Sequence, residues 1–317
     1  MVGKVQNTPS QPKWMRRFKK DVLARWQLLL LLLLPLAWYI IFCYVPMFGV
    51  QLAFKNYKVK LGIWGSPWAD PLFKQFSRYF SSYYAWDTIW NTLAINLGCL
   101  AIGFPAPILL ALILNEINNI RFRKVLQNVT YIPYFLSIVV VVSMLKLFCD
   151  EKYGVINILL QSMNMNAIPL MESEKFFRPL YVLSNVWQNM GWNAIIYIAA
   201  LAGIDTALYE AATIDGATRW QKILHVSIPC ILPTIVTMFI LRMGQLMTIG
   251  FEKALLMQND LNIGASEIIS TLVYKNGIQK GDYSYATAVG LMNSVVNLIL
   301  IVTANTICRR TLDESLW

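Results

Sequence analysis

Two apolar segments of this 317-residue chain are joined by the polar stretch Ile204-Asp-Thr-Ala-Leu-Tyr-Glu-Ala-Ala-Thr-Ile-Asp-Gly-Ala-Thr-Arg-Trp-Gln-Lys-Ile-Leu-His-Val-Ser-Ile-Pro229. Asp205 can cap a helix in which Leu208 and Ala211 share one face, and Gly216 permits a tight turn after it. A second short helix follows, with the apolar residues Trp220, Ile223 and Leu224. The stretch therefore predicts a short helix–turn–helix between two longer helices.

The segments on either side are long and apolar enough to cross a membrane. The chain is 57% hydrophobic and 14% charged, whereas soluble domains carry about 25% charged residues. A spanning helix needs about 20 apolar residues, because the hydrocarbon core is about 30 Å thick. We predict an all-α membrane protein with six transmembrane helices, at about residues 26–48, 91–114, 125–148, 180–203, 226–249 and 285–307.

The first apolar run, residues 26–48, is predicted to stay in the protein as a membrane helix. A secretory signal has a hydrophobic region of only about 7–15 residues and ends at small residues, which this run does not. Prolines fall inside several runs, and we expect neighbouring helices to accommodate them without ending a span. These prolines are Pro35, Pro105, Pro107, Pro133 and Pro233.

The net charge of +10 comes from Lys and Arg residues that gather at the ends of the apolar runs. Fourteen of them fall on the side of the N-terminal segment, against eleven on the other side in much longer loops. Because positive charge marks the cytoplasmic side, we predict that both termini are cytoplasmic. The predicted organisation is a basic N-terminal segment 1–25, a membrane domain 26–308 with an external aromatic loop at 49–90 and a cytoplasmic loop at 204–229, and a cytoplasmic tail 309–317.

The sequence lacks the residue patterns that several classes of function require. The five cysteines contain no CxxC pair, and His225 is the single histidine, so neither a disulfide framework nor a metal site is predicted. The spans carry no cluster of His, Cys and carboxylate residues, so a membrane enzyme is not predicted. No GxxxxGK[ST] sequence occurs, so the energy for any active transport would come from another polypeptide.

The polar stretch resembles the EAA loop of bacterial ABC importer permeases. The resemblance rests on Glu210-Ala211-Ala212, Gly216 and Val226-Ser-Ile228-Pro229 with their spacing. It implies a MetI-like permease fold in which this loop forms coupling helices that sit in a cleft of a cytoplasmic ATPase. The residues expected to couple are Glu210, Ala211, Ala212, Asp215, Gly216 and Arg219.

Other stretches resemble the carbohydrate branch of these permeases, in particular those for complex or acidic oligosaccharides. They are Ala53-Phe-Lys-Asn-Tyr57, Gly65-Ser-Pro-Trp68, Asn91-Thr-Leu93, Asn185-Val-Trp-Gln188, Leu208-Tyr-Glu-Ala-Ala-Thr-Ile-Asp-Gly216 and Asp282-Tyr-Ser-Tyr-Ala-Thr-Ala-Val-Gly290.

The resemblance to that branch implies a multi-pass protein of the bacterial cytoplasmic (inner) membrane that forms half of a sugar pore by alternating access. The implied partners are a second homologous permease, two ABC ATPase subunits, an external solute-binding protein, the sugar and the lipid bilayer, with no nucleic acid. No cofactor is expected in this chain, and ATP and Mg would bind the ATPase subunits. The alternatives are a secondary sugar transporter and a non-carbohydrate ABC permease.

Candidate sugar contacts concentrate in the fourth span, because aromatic faces stack on sugar rings and amides bind hydroxyls. Asn185, Gln188, Asn189, Trp192 and Asn193 are spaced to share one helix face, and Trp187 is adjacent. This amide-rich face either lines a pore or joins neighbouring helices through hydrogen bonds.

Other candidates lie in the fifth and sixth spans. An arginine within a span needs water or a partner, so Arg242, with Gln245 three residues on, either faces the pore or pairs with Glu252. Asn293 and Asn297 form a polar pair that favours helix packing over sugar binding, and Asn293 is kept among the candidate contacts. The external aromatic loop is either an interfacial belt or a docking surface.

Overall fold

The computed structural model describes residues 25–312 and 315–316, which are helical or irregular apart from one isolated antiparallel bridge between Lys55 and Trp68. These residues divide into a unit that ends at Gln51 and a second unit that begins at Leu52. The α-helices of the first unit are α1 (Trp26–Tyr39) and α2 (Val45–Met47), with a π-helical turn Ile40–Tyr44 between them.

The second unit contains the remaining α-helices. They are α3 (Gly62–Gly65), α4 (Lys74–Phe80), α5 (Ala85–Gly103), α6 (Pro105–Glu116), α7 (Ile120–Tyr131), α8 (Ile138–Phe148), α9 (Val155–Ser162), α10 (Glu174–Ala202), α11 (Thr206–Ile214), α12 (Arg219–Lys222), α13 (Ile228–Met243), α14 (Phe251–Met257), α15 (Ile263–Ser266), α16 (Ile269–Tyr274) and α17 (Tyr283–Leu312). The 3-10 helices are Phe48–Phe54, Val59–Leu61 and Ile132–Phe135, and two further π-helical turns are Ile223–Ser227 and Lys275–Gln279.

Four helical stretches in the described part of the chain are long and apolar enough to cross a bilayer. They are Trp26–Phe54, Ala85–Glu116, Arg219–Met243 and Tyr283–Leu312. Two bent pairs also qualify: Ile120–Phe135 with Ile138–Phe148, bent by 99°, and Glu174–Ala202 with Thr206–Ile214, bent by 71°. The described residues therefore supply six spans when each bent pair counts as one, in agreement with the all-α prediction.

The third predicted span, residues 125–148, is broken in the middle. The expectation that prolines leave the spans intact is wrong at Pro133, which lies in the 3-10 turn Ile132–Phe135. Proline lacks the N–H that an α-helix needs, and its ring collides with the carbonyl four residues earlier. The chain becomes α-helical again at Ile138, where the Ser137 hydroxyl accepts a hydrogen bond of 3.3 Å from the Val140 amide.

Several span ends also differ from the prediction. The first helical stretch continues to Phe54 and the second begins at Ala85, so the external loop is shorter than residues 49–90. The fifth span ends at Met243, well before residue 249. The next residue, Gly244, packs closely on the sixth span, where a Cβ would lie 2.8 Å from Ile301 Cδ1. Helix α17 extends to Leu312 and so includes the start of the predicted tail.

Helix α10 is the centre of the second unit. It packs most extensively on α6 and α5, and it also contacts α7, α13 and the turn Ile132–Phe135. Gly191 makes the approach to α7 possible, because a Cβ there would lie 2.0 Å from the Thr130 carbonyl oxygen. The bend at Pro133 is thereby held directly against the amide-bearing face of α10.

Candidate functional site

The polar stretch between α10 and α13 folds as the predicted helix–turn–helix. The Asp205 carboxylate accepts a hydrogen bond of 2.9 Å from the Ala207 amide and so caps α11. The turn follows at Gly216, whose φ of +75° favours glycine over any residue with a side chain. A capping box then begins α12: the Thr218 hydroxyl accepts from the Gln221 amide, and the Gln221 side chain accepts from the Thr218 amide.

We call residues 205–227 the knob. Two hydrogen bonds fasten α11 to the segment after the turn: Lys222 Nζ of α12 to Thr213 Oγ1 at 2.7 Å, and Tyr209 Oη to Ser227 Oγ of the following π-helical turn at 2.9 Å. Its surface exposes large apolar side chains, with Ile214 87% and Trp220 74% exposed. An exposed apolar surface of this kind is typical of a contact site for another protein.

The predicted coupling residues all lie in the knob. Five are exposed and Ala212 is half-buried; the exposed ones are Glu210, Ala211, Asp215, Gly216 and Arg219. Their contact with an ATPase stays a prediction.

A cavity of about 560 Å³ lies among α5, α6, α10, α13 and the turn that contains Tyr134. This volume falls within the range of about 300–1,000 Å³ that is typical of small-molecule sites. Five of the predicted sugar contacts line the cavity together, namely Asn189, Trp192, Asn193, Arg242 and Gln245. The structure thus brings together side chains from two separate spans that the sequence identified independently.

The cavity is lined both by aromatic rings, which are apolar, and by side-chain amides, which form hydrogen bonds. The ring of Trp192 stacks on that of Tyr134, with centroids 4.5 Å apart and planes 2° from parallel. The Asn189 side-chain amide donates to the Asn185 backbone carbonyl at 2.8 Å and to the Asn185 Oδ1 at 3.0 Å. The Asn185 side chain in turn contacts the Cys99 sulfur at 3.5 Å.

Three predicted sugar contacts lie outside the cavity. Gln188 is buried and donates to the Leu136 carbonyl at 3.2 Å, so it joins α10 to the broken span. Trp187 lines a separate apolar cavity of about 260 Å³ between α8 and α10. Asn293 lies on α17, and its Oδ1 has no hydrogen-bond partner among residues 25–312 and 315–316.

Asn297, which the sequence pairs with Asn293, makes helix-packing contacts. Its side chain accepts from the Met247 amide at 2.9 Å and donates to Thr248 Oγ1 at 3.0 Å. This placement favours the helix-packing interpretation for Asn297.

Arg242 lines the cavity from α13. Within the described part of the chain it forms no ion pair with Glu252; the recorded ion pairs are Arg78 with Asp282 and Lys275 with Glu267. The placement favours the pore over pairing with Glu252, and the role of Arg242 in binding stays a prediction.

Sequence reasoning missed Tyr134. The signal available was its position directly after Pro133, within an apolar run that also carries Phe135. In this structure the 3-10 turn that contains Pro133 brings Tyr134 into the cavity wall, so an aromatic residue beside a proline in a span is a candidate contact.

The external aromatic loop divides into packed and exposed parts. Phe54, Phe73 and Phe76 pack on one another with ring centroids 5.5–5.8 Å apart. Tyr83 and Trp86 are 86% and 72% exposed. Both interpretations, interfacial belt and docking surface, are compatible with exposed aromatic residues next to a span.

Comparison with known proteins identifies the family. Residues 103–312 match the family described as binding-protein-dependent transport system inner membrane component. The chain is 40% identical to the protein LplB of Bacillus subtilis over 96% of this chain and 94% of that protein. It is also 40% identical to YteP of Bacillus subtilis, a polygalacturonan/rhamnogalacturonan transport system permease, over 91% of this chain and 90% of that protein.

Two solved structures are similar to this chain over nearly its whole length. A chain of a bacterial ABC transporter involved in the import of the acidic polysaccharide alginate superposes with a TM-score of 0.85 at 38% identity, covering 93% of this chain and 99% of that one. A chain of a bacterial alginate ABC transporter in complex with its alginate pentasaccharide-bound periplasmic protein gives a TM-score of 0.86 at 37% identity, covering 95% and 100%.

Membership in this family rules out the alternative of a secondary transporter and makes the chain a multi-pass permease subunit, not itself an enzyme. The fold, the knob and the matched residues lead to one conclusion: the chain belongs to the inner membrane components of binding-protein-dependent ABC transport systems.

Proposed function

We propose that this chain forms one half of the translocation path of an ABC importer for acidic oligosaccharides, and that Arg242 binds a carboxylate of the sugar. The observation that carries the proposal is a single cavity that holds an arginine, several amides and a stacked aromatic pair. Arg242 lies in the last turn of a membrane span and lines this cavity, and an arginine in a span requires water or an anion as a partner.

The cavity chemistry matches a uronic acid. A guanidinium binds a carboxylate through two parallel hydrogen bonds, which fixes both the distance and the orientation of the anion. Amide side chains both donate and accept, so Asn189, Asn193 and Gln245 can pair with hydroxyl groups in either direction. The free faces of Trp192 and Tyr134 offer a flat apolar surface for the C–H face of a sugar ring.

The relatives support an acidic sugar. One transports polygalacturonan or rhamnogalacturonan, and the transporters that superpose on this chain import alginate. Polygalacturonan and alginate are both built from uronic acids, whose rings carry one carboxylate each. These likenesses also favour a carbohydrate over the non-carbohydrate alternative.

The knob supplies the proposed link to energy. Its apolar side chains and Glu210 would contact a separate ATPase, which binds ATP and Mg and drives alternating access. The proposed assembly adds a second homologous permease, a second ATPase subunit and an external solute-binding protein. Family membership already ties the chain to a binding protein, and the remaining stoichiometry is part of the proposal.

The test is Arg242→Gln in the reconstituted complex, with uptake of oligogalacturonate and of alginate oligosaccharide compared with their uncharged methyl esters. A hydrogen bond to a charged group contributes about 1.5–3 kcal/mol, so uptake of the acidic form should fall roughly 10- to 100-fold. Uptake of the ester should change less than about twofold, because no charged pair is lost.

Arg242→Lys is the matched control, since it keeps the positive charge but cannot form two parallel hydrogen bonds to a carboxylate. Its uptake of the acidic sugar should lie between those of the wild type and Arg242→Gln. Equal losses for the acid and its ester in Arg242→Gln would limit Arg242 to a structural role. A wild-type complex that imports only uncharged oligosaccharides would contradict the acidic substrate class.

A further inference from the structure

Lys253 on α14 is a buried cation that does not line the cavity. Its side chain is 3% exposed, and its ammonium has no hydrogen-bond partner among the described residues. The nearest aromatic group is the ring of Tyr181, whose centroid lies 5.1 Å from Nζ. Within residues 25–312 and 315–316, this lysine is therefore buried without a carboxylate bonded to its ammonium.

The surroundings of Lys253 are apolar. The adjacent Ala254 and the nearby Met257 belong to a buried cluster that also contains Cys99, Phe177 and Tyr181. Burial lowers the pKa of Lys253 to about 8. About nine in ten of these amines are therefore still protonated at pH 7, so the cluster holds a positive charge.

Lys253 stands next to the cavity that contains Arg242. Cys99 lines the cavity together with Arg242, and it also belongs to the buried cluster of Tyr181 and Ala254, the residue next to Lys253. Tyr181, whose ring lies against Lys253, is one helical turn before Asn185 on α10, and Asn185 lines the cavity. Because α10 begins on the predicted external side, Lys253 lies between that side and the cavity.

We propose that Lys253 is a specificity-determining residue that receives a sugar carboxylate on its way from the external side to Arg242. This inference rests on the proposed import of acidic sugars. Burial of a cation without an anion in an apolar cluster is expensive, so the charge is expected to have a functional partner. Lys253 lies between two membrane spans, beside the cavity wall. Two cations in sequence would pass a chain of uronic acids from one to the next.

The Tyr181 side chain covers the Lys253 ammonium in this structure. Its hydroxyl donates to the Gly250 carbonyl at 3.2 Å, and Gly250 directly precedes α14. The ring therefore lies over the ammonium while the hydroxyl holds the start of the lysine's own helix. When the path opens towards the external side, separation of α10 from α14 would uncover Lys253.

The test is Lys253→Met, which keeps the length of the side chain and removes its charge. Thermal stability of the purified complex should be equal or higher, because a buried charge without a partner is removed. Uptake of oligogalacturonate should nevertheless fall at least tenfold, while uptake of its methyl ester changes less than twofold. Lys146→Met is the matched control, since Lys146 is exposed on α8, a helix packed against α14, and it should leave all three measurements unchanged.

The outcomes separate this inference from the proposed function. If Arg242→Gln loses the acidic substrate selectively and Lys253→Met does not, the role of Lys253 is overturned and the acidic importer stands. If Lys253→Met lowers stability and impairs acid and ester equally, Lys253 is structural. If the wild-type complex takes up the acid and its ester equally well, the proposed acidic substrate class is contradicted, and with it the role of Lys253.

Discussion

The knob and the cavity are built in opposite ways. In the knob, the fastening hydrogen bonds join residues no more than 18 positions apart, and apolar side chains face water. Around the cavity, by contrast, hydrogen bonds join distant parts of the chain. Asn185 in the cavity wall bonds Cys99 across 86 positions, and Gln188, just outside the cavity, bonds Leu136 across 52.

This difference indicates where each region does its work. A short, locally fastened helix pair keeps its shape when another protein presses on its apolar surface. A cavity assembled from several spans changes shape whenever those spans move. Alternating access requires such a change, because the sugar must enter on one side and leave on the other. Local changes should therefore disable the knob completely, whereas changes around the cavity should be graded.

The largest effect is expected from Gly216→Pro in the knob. The backbone there has a φ of +75°, and the proline ring fixes φ near −65°, so the turn cannot form. A penalty of about 3 kcal/mol corresponds to a loss of roughly 100-fold or more in uptake and in ATPase activity that depends on the binding protein. Uptake assays and co-purification of the ATPase subunit measure it.

Gly216→Asn is the control that isolates the dihedral angle. Asparagine tolerates positive φ, and a Cβ at Gly216 would meet no atom within 4 Å. This variant should retain most of the uptake. Normal uptake in Gly216→Pro would mean that the shape of the turn is irrelevant to coupling.

A smaller effect is expected from Gly191→Ala, which separates α10 from α7. The added methyl would lie 2.0 Å from the Thr130 carbonyl oxygen, so one of the two helices must shift. Overpacking typically costs 1–3 kcal/mol, which should lower the unfolding temperature by roughly 5 °C and disturb the stack of Trp192 on Tyr134.

Gly290→Ala is the comparison for Gly191→Ala, because a Cβ at Gly290 meets nothing within 4 Å and alanine favours the helix. It should keep the wild-type unfolding temperature. Equal temperatures for both variants would contradict the close approach of α10 to α7 described above.

The smallest effect is expected from Gln188→Leu. The variant leaves the Leu136 carbonyl without its side-chain donor, at a cost of about 1–3 kcal/mol in stability. Since Gln188 lies outside the cavity, uptake of acidic and uncharged sugars should fall by the same few-fold factor. Asn189→Leu, inside the cavity, should instead weaken sugar uptake with little change in stability. A loss of stability in Asn189→Leu and a selective loss of uptake in Gln188→Leu would contradict the roles assigned to the two amides.

The knob could be predicted in detail because its determinants are adjacent in sequence. The Asp205 cap and the Gly216 turn act on neighbouring backbone groups, so their spacing was enough to predict the helix–turn–helix. The capping box of Thr218 and Gln221 is equally local but was not predicted. The approximate positions of the spans were predictable for a similar reason, since hydrophobic length is a local property.

The cavity could be predicted only in part. Helical spacing placed Asn189, Trp192 and Asn193 on one face, but it also placed Gln188 there, which the break at Pro133 draws to Leu136 instead. Neither the direction of that break nor the contact at Gly191 can be read from local patterns, because both depend on residues more than 50 positions away. Lys253 was missed for the same reason: nothing in its own helix indicates burial.

One helix connects the two regions. From Arg219 to Met243 the chain is helical without interruption, through α12, a π turn and α13. At 1.5 Å per residue this makes a rod of about 35 Å, with Trp220 near one tip and Arg242 near the other. If the proposed ATPase displaces the end that carries Trp220, a helix that moves as one body would also reorient the Arg242 guanidinium at its other end. Binding and release of the proposed sugar carboxylate would then follow the ATPase cycle.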